Sequence, residues 1–269
     1  MVIPIADENP TRRRPVWTLT ILAVNVAVFL LAQPWDAGAC AQQAFFLEWG
    51  AVPHEIVSGE ALDQREVDHS TLAECDIDAA PEKNVHLSIL SAMFLHAGWG
   101  HLLGNMLFLW IFGNNVEDRI GRAQFLIFYL TCGAIATLVF VLLNAGSLAT
   151  LVGASGAIAG ILGAYLVMFP RARVTLLVIP LFFLPLRLPA LIVLGGWFVL
   201  QLFAGQVADM AGGGVAYLAH VAGFVAGVLI VLALGYRPQR PRVRQRFGSP
   251  RRDSPGWPPP RRPSGWGRR

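Results

Sequence analysis

A serine lies between glycines at the start of a long apolar run. Residues 153–160 read Gly-Ala-Ser-Gly-Ala-Ile-Ala-Gly, and the apolar run that they open ends at Pro170. Glycine on both sides lets another backbone approach closely and leaves the Ser155 hydroxyl accessible. The spacing of Gly156 and Gly160 is equally typical of the small-residue faces that pack membrane helices. This stretch alone therefore supports either a nucleophile or a packing surface.

Few other strongly polar side chains interrupt the apolar runs, and such groups inside membrane helices are costly and usually functional. They are His101, Asn105, Gln201 and His220. At ~1.5 Å of rise per residue, Ser155 and His220 each stand ~22 Å above the end of their own run, and His101 stands ~20 Å above the end of its run, with Asn105 about one turn lower. If the three runs cross a membrane in the same direction, these four groups lie near one depth.

A serine and a histidine at one depth suffice for nucleophilic catalysis, because imidazole can accept the proton of a serine hydroxyl. His220 shares a helix face with glycines three and seven residues later, so close packing against the Ser155 helix predicts a hydrogen bond between them. His101, Asn105 and the Ser155 backbone N–H could stabilise an oxyanion. We find no acidic residue at this depth, which predicts a dyad and not a triad.

The composition is that of a membrane protein that crosses the bilayer several times. Hydrophobic residues make up 55% of the 269 residues and charged residues only 14%, whereas soluble chains carry about a quarter charged residues. The net charge of +4 does not indicate nucleic-acid binding, because the excess lies in the tail and in short loops. The first apolar run has the length of a span without a convincing cleavage site, so we expect a retained helix and not a signal peptide.

Six apolar runs predict an all-α membrane protein with a six-transmembrane-helix bundle. The runs are about 17–32, 96–113, 123–143, 155–170, 188–205 and 215–235. We expect an N-terminal segment 1–15, a membrane domain 16–235 with a long first loop at about 33–86, and a disordered Arg/Pro-rich tail 236–269. The apolar stretch 174–186 is short and interrupted by two prolines, which predicts a place at the membrane interface.

The arginines predict the orientation of the chain. Those of the N-terminal segment, the short loops and the tail fall on one side, whereas the opposite side holds only Arg65 and Lys83. By the positive-inside rule both termini are cytoplasmic, and we place the protein in a bacterial cell membrane. The eleven arginines of the tail are expected to contact anionic lipids of the inner leaflet.

Two cysteines, Cys40 and Cys75, share the extracytoplasmic first loop, where oxidation is permitted. Their spacing leaves a disulfide and two free thiols equally open. The histidines of this loop are scattered, so we predict no metal site and no cofactor.

The polar residues resemble the motifs of the rhomboid family of intramembrane serine proteases over about 17–235. The matching pieces are Gly153-Ala154-Ser155-Gly156, His101-Leu-Leu-Gly-Asn105 preceded by His96, His220 followed by Gly223 and Gly227, and Glu117 with Arg119. The resemblance implies that Ser155 is the nucleophile, His220 the general base, and His101 and Asn105 oxyanion-hole donors. It implies supporting roles for His96, Gly153, Gly156, Gly160, Gly223 and Gly227.

The resemblance further implies that the substrates are single-span membrane proteins, cut in or near their membrane segment at small residues. They would enter the bundle laterally, near the fifth span. The chain departs from the family pattern in lacking a Trp-Arg pair in the first loop and in carrying Ala159 where some members have an aromatic ring.

Two other functions stay open at this point. Inactive rhomboid-like proteins bind membrane clients without cleaving them, but they typically lack the serine or the histidine. A small transporter would be expected to distribute polar groups through the membrane and to show repeated halves, and this sequence shows neither.

Overall fold

The computed structural model describes residues 2–70, 73–178, 184–210 and 217–239. This part of the chain is mostly helical. The predicted disordered tail lies outside the described residues, apart from its first four positions.

The helices follow one another in chain order with short connections. They are α1 (Val16–Ala27, continued by a π-helical turn Val28–Ala32), α2 (Ala39–Trp49), α3 (Pro53–Ser58), α4 (Gln64–Asp68), α5 (Ser88–Ser91), α6 (Trp99–Phe108, continued by a π-helical turn Leu109–Gly113), α7 (Asn114–Ile120), α8 (Arg122–Leu143), α9 (Ser155–Met168), α10 (Ala190–Met210) and α11 (Tyr217–Ala233). Short 3₁₀ turns occupy Ala73–Cys75 and Ala92–Phe94.

Each predicted run has a helical counterpart, but the helices differ in length. Within the described residues, α8 is the one helix that is both long and apolar enough to cross a membrane. Shorter apolar helices cover Val16–Ala32, Ser155–Met168, Ala190–Phe203 and Tyr217–Ala233. Six membrane crossings therefore stay a prediction.

The expectation of an all-α chain is wrong, because the structure contains a three-stranded antiparallel sheet. Its strands are β1 (Val2–Asp7), β2 (Arg173–Val178) and β3 (Leu184–Pro189), in the order β1-β2-β3. The sheet uses part of the N-terminal segment and part of the stretch predicted to lie at the interface.

The strands were not predicted because two of them contain proline. The sheet tolerates these prolines because they lie in its edge strands. The edge strands carry Pro4, Pro185 and Pro189, whereas the central strand β2 has no proline. Proline cannot donate to a ladder and is therefore confined to edges and bulges. The pairing of β1 with β2 also shifts register between Pro4 and Ala6.

The N-terminus of α1 is capped by a carboxylate from another helix. Glu117 of α7 is buried and accepts hydrogen bonds from the backbone N–H of Trp17 (3.0 Å) and of Thr18 (2.8 Å) and from the Thr18 hydroxyl (2.8 Å). The first N–H groups of a helix have no partner within it, and an acidic group there is favourable. Glu117 therefore joins α1 to α7.

The first loop is a small folded unit with its own core. A disulfide joins Cys40 and Cys75, which answers the question that their spacing left open. Five apolar side chains form the core, Leu47, Val52, Leu62, Val67 and Ile77. Beside them a buried ion pair joins Lys83 to Glu55, and burial lowers the pKa of Lys83.

At the far end of α9 from Ser155, the first strand is tied to the helix bundle. The carboxylate of Asp7 accepts hydrogen bonds from the Tyr165 hydroxyl (2.6 Å) and from the side-chain amide of Asn115 (2.8 Å). Burial raises the pKa of Asp7 to about 6 from its ordinary 3.8. The ionised carboxylate is thus disfavoured in the folded protein.

This contact predicts a pH-dependent stability. Between pH 4 and 6 the unfolded chain releases the Asp7 proton and the folded chain keeps it, so the folded state loses stability relative to the unfolded state as the pH rises through this window. Asp7→Asn keeps an oxygen acceptor without the charge. We expect it to raise the free energy of unfolding at pH 7.5 by about 1–2 kcal/mol and to have little effect near pH 4.

Equilibrium unfolding in mixed detergent micelles from pH 4 to pH 8 measures this difference. Asp7→Ala is the control, because it removes both the charge and the acceptor and should be less stable than Asp7→Asn throughout. An unchanged pH dependence in Asp7→Asn would contradict the assignment.

Candidate active site

Ser155 is the first residue of α9. The segment that precedes it is held in place by backbone hydrogen bonds to residues 51 and 92. Gly153 has φ +132° and donates its N–H to the carbonyl of Ala92 (2.8 Å). Upstream, Ala51 and Leu151 pair as an antiparallel bridge. A positive φ of this kind strongly favours glycine. The backbone on which the serine is mounted is therefore held in one conformation.

His220 lies in the first turn of α11 and faces this serine. Its Nε2 atom is 2.7 Å from the Ser155 Oγ. Both residues are half-buried. The structure thus brings together the two residues that the sequence paired, at a distance suited to proton transfer.

Glycines bring α9 and α11 this close. A Cβ atom on Gly223 would lie 2.1 Å from the carbonyl oxygen of Gly156, and one on Gly227 would lie 2.0 Å from that of Gly160. Distances below about 3 Å do not occur for real Cβ atoms, so these two positions of α11 accept no side chain without a shift of the backbone.

The two glycines of α9 contact α8 as well as α11, which the sequence did not predict. A Cβ atom on Gly156 would meet Ala136 of α8 at 2.7 Å, and one on Gly160 would lie 2.5 Å from Cys132 of α8 and 3.2 Å from the carbonyl oxygen of Gly223. The carbonyl oxygens of both glycines contact the backbone of α11. Because both their faces are occupied, α9 is packed between α8 and α11.

His101 lies on α6 with its ring beside the serine loop. Its Nδ1 faces the backbone N–H of Ala97 (3.3 Å) and accepts from it, which leaves the proton on Nε2. The point that a Cβ of Gly153 would occupy is 2.9 Å from this Nε2 and 3.5 Å from the Ser155 Oγ. The Nε2–H group is therefore placed to donate to an atom bound beside the serine.

Asn105 is on the same side of α6 but makes no described contact with Ser155. Its side-chain amide donates to the carbonyl of His101, one turn earlier (3.0 Å). An amide nitrogen has two hydrogens, so this bond leaves one for a ligand.

His96 is fully buried, and its ring packs edge-on against that of His101 with centroids 5.2 Å apart. The side-chain amide of Gln33 pairs with its backbone, accepting from the His96 N–H at 3.1 Å and donating to its carbonyl. The backbone of His96 thus connects the end of the first predicted span to the start of α6. A structural role for its side chain stays a prediction.

The sequence reading gave no role to Gln201 of α10, yet this side chain contacts the histidine. Its Oε1 atom lies 2.7 Å from the Nδ1 of His220. The depth of Gln201 in the predicted membrane span could have indicated this contact. Counted at ~1.5 Å per residue from position 188, Gln201 stands ~20 Å along its run, level with the other polar groups.

The part of the chain that carries these residues matches a known protein family. The family model described as the Rhomboid domain matches residues 83–237, more than half of the chain. The chain belongs to the rhomboid family. All four residues of the predicted site lie inside the matched region.

Several curated rhomboid proteins are similar to parts of the chain. Rhomboid protein 1, mitochondrial, of Saccharomyces cerevisiae is 33% identical over 53% of this chain and 40% of its own length. The Presenilin-associated rhomboid-like protein, mitochondrial, of Bos taurus is 32% identical over 35% of this chain and 26% of its own. The protein named "Putative rhomboid protease YdcA" of Bacillus subtilis is 37% identical over 30% and 40%.

The chain therefore aligns with less than half the length of these relatives. Rhomboid proteins are membrane proteins, which agrees with the composition. Since both mitochondrial and bacterial proteins are among the relatives, they do not confirm the prediction of a bacterial cell membrane.

Cavities in this rhomboid differ in size and place. A narrow cavity adjoins Ser155 and is lined mainly by small residues, among them Ala92, Gly133, Ala136, Gly156 and Ala219. Two roomier cavities of about 880 and 760 Å³ lie in the first loop, and neither is lined by Ser155 or His220. The chemistry of the dyad, and not cavity volume, locates the candidate site. Within the described part of the chain no cluster of three or more His, Cys, Asp or Glu residues could hold a metal ion.

The glycine contacts predict which substitutions the rhomboid bundle will not accept. Gly223→Ala and Gly227→Ala should push α11 away from α9, lower the free energy of unfolding by about 1–3 kcal/mol, and reduce labelling of Ser155 by a fluorophosphonate probe at least tenfold. Gly196→Ala is the matched control, because an added Cβ on this α10 residue meets nothing within 4 Å.

Thermal unfolding in detergent and the rate of probe labelling test both effects. Wild-type labelling in Gly223→Ala and Gly227→Ala would show that the close contact does not set the geometry of the dyad.

Proposed function

We propose that this rhomboid is an intramembrane serine endopeptidase that acts through a dyad of Ser155 and His220. The observation that carries the proposal is the 2.7 Å distance between the His220 Nε2 and the Ser155 Oγ within the rhomboid domain. The membership of the chain in the rhomboid family supports the proposal as well, since many rhomboid proteins are intramembrane serine proteases.

In this mechanism the Ser155 Oγ attacks the carbonyl carbon of the scissile peptide while its proton moves to the Nε2 of His220. The tetrahedral intermediate collapses as the imidazolium gives that proton to the leaving amine, which leaves an acyl group on the serine oxygen. Water then attacks this ester, and His220 accepts and returns a proton in the same way. The products are two peptides, and the enzyme is regenerated.

The oxyanion of each intermediate needs donors that are already in place. The Nε2–H of His101 is the best candidate, because Nε2 lies beside Gly153, close to the serine Oγ. The backbone N–H of Ser155, at the start of α9, and the second amide hydrogen of Asn105 are the further donors of this proposal.

The substrates we propose are single-span membrane proteins that reach the site from the bilayer. Large apolar side chains are strongly exposed on several helices, for example Leu31 (86%), Leu142 (73%) and Leu200 (66%), as expected of surfaces that face lipid. The narrow cavity beside Ser155 is lined mainly by glycine and alanine, with Met93, Leu151 and Val152 among the larger lining residues, and its narrowness favours small residues at the cleavage site. Entry near α10 and a bundle of six crossing helices with both termini cytoplasmic belong to the same proposal, with the arginine-rich tail on anionic lipid.

Cleavage of a model single-span substrate in liposomes tests the proposal. Ser155→Ala and His220→Ala should each lower the cleavage rate by at least about 10³-fold, because residues of one catalytic unit fail together. Ser58→Ala and His86→Ala, in the first loop, are the matched controls and should cleave at the wild-type rate.

Retained cleavage by purified Ser155→Ala would refute the serine mechanism. If the wild-type protein captures the substrate but leaves it uncut, and Ser155→Ala captures it equally well, the protein is a rhomboid-like client-binding protein.

A further inference from the structure

The imidazole of His220 has a partner at each nitrogen. Nε2 faces the hydroxyl of Ser155 and Nδ1 faces the side-chain oxygen of Gln201, each at 2.7 Å. We infer that Gln201 is the positioning residue of the catalytic histidine, fixing its tautomer and its orientation. This inference rests on the proposed function of the dyad.

The chemistry of the amide assigns the proton. An amide oxygen can only accept a hydrogen bond, so contact with Oε1 requires the hydrogen of the neutral imidazole on Nδ1. Nε2 then presents its lone pair to the serine hydroxyl, which is the form a general base needs. The opposite tautomer would direct an N–H at Oγ and could not accept its proton.

Other elements around the histidine do not supply this function. The first two turns of α9 offer only glycine, alanine and isoleucine besides Ser155. Tyr217, on α11 with His220, has its ring centroid 6.3 Å from that of the imidazole, in an edge-to-face arrangement. Among the described side chains, the other titratable group that faces His220 is His101 from α6. Among the described residues no carboxylate hydrogen bonds to this imidazole.

The amide of Gln201 is held in register by aromatic packing on the same helix face. Trp197, one turn earlier, has its ring 6.2 Å from that of His220 and 6.1 Å from that of Phe224. Phe198 stacks on Phe224 with centroids 4.6 Å apart. These contacts anchor α10 against α11 at His220 and one turn later, at Phe224, so the amide approaches Nδ1 from a backbone that is held in place.

The test compares a substitution that removes the acceptor with one that keeps an oxygen acceptor. Gln201→Leu removes the acceptor, and we expect kcat for a single-span substrate in liposomes to fall about tenfold with KM unchanged, the effect of about one hydrogen bond. Gln201→Glu keeps an oxygen acceptor at the same reach, with the Nδ1–H of His220 as its partner, and should retain more activity than Gln201→Leu. Leu200→Ala, on the exposed side of the same turn, is the control for a change in α10 itself.

Equal kcat in Gln201→Leu and the wild type would overturn the inference, as would an equal loss in Gln201→Leu and Gln201→Glu. A rise in KM at an unchanged kcat would do so too, because it would indicate a role in binding substrate.

A second measurement does not depend on cleavage. Nitrogen NMR of ¹⁵N-histidine-labelled protein in bicelles, with His220 assigned by its absence in His220→Ala, reports which ring nitrogen carries the proton. The wild type should show the Nδ1–H form, and Gln201→Leu should lose it. A wild-type Nε2–H form would overturn the inference. Failure of the proposed function would instead appear as cleavage by Ser155→Ala, whatever the tautomer.

Discussion

The contact between α9 and α11 is the constraint on which the rest of the site depends. At Gly223 and Gly227 the backbone of α11 lies against carbonyl oxygens of α9, so no side chain stands between the two helices. Where side chains separate helices, rotamer changes can absorb errors of several tenths of an ångström, but a backbone-to-backbone contact has no such freedom. The separation of the helix axes therefore fixes the distance between Ser155 and His220, and the proposed catalysis would depend on a contact that also packs the two helices.

Packing also determines how firmly each partner of the dyad is held. Eleven of the fourteen residues of α9 are buried, and the loop before Ser155 is tied to Ala92 and, through Leu151, to the folded unit of the first loop. At its other end α9 holds Asp7 through Tyr165. The serine thus belongs to the most constrained helix of the bundle. The ring of His220, by contrast, is held on its Nδ1 side by Gln201 of α10, a helix whose opposite face is exposed.

The sequence predicted the dyad because its evidence is local and periodic: a serine between glycines, a histidine on a glycine stripe, and equal depth along apolar runs. It missed the sheet because β2 is a short apolar run that periodicity cannot distinguish from a buried helix segment, and because its edge strands contain proline. It noted Gln201 without a role, since the partner of a polar side chain depends on helix rotation, which spacing does not give.

A neutral amide suits the place that Gln201 occupies. Moving a carboxylate into a site surrounded by apolar helices costs several kcal/mol unless good partners offset it. Three described carboxylates of the bundle, Asp7, Glu117 and Asp118, instead accept from hydroxyl, amide or backbone donors away from the dyad. An amide oxygen orients the imidazole at a much smaller desolvation cost. It stabilises the imidazolium less than a carboxylate would. The arrangement therefore favours a fixed tautomer over a strong base, and the proposed chemistry must draw more of its rate from the oxyanion donors beside Gly153.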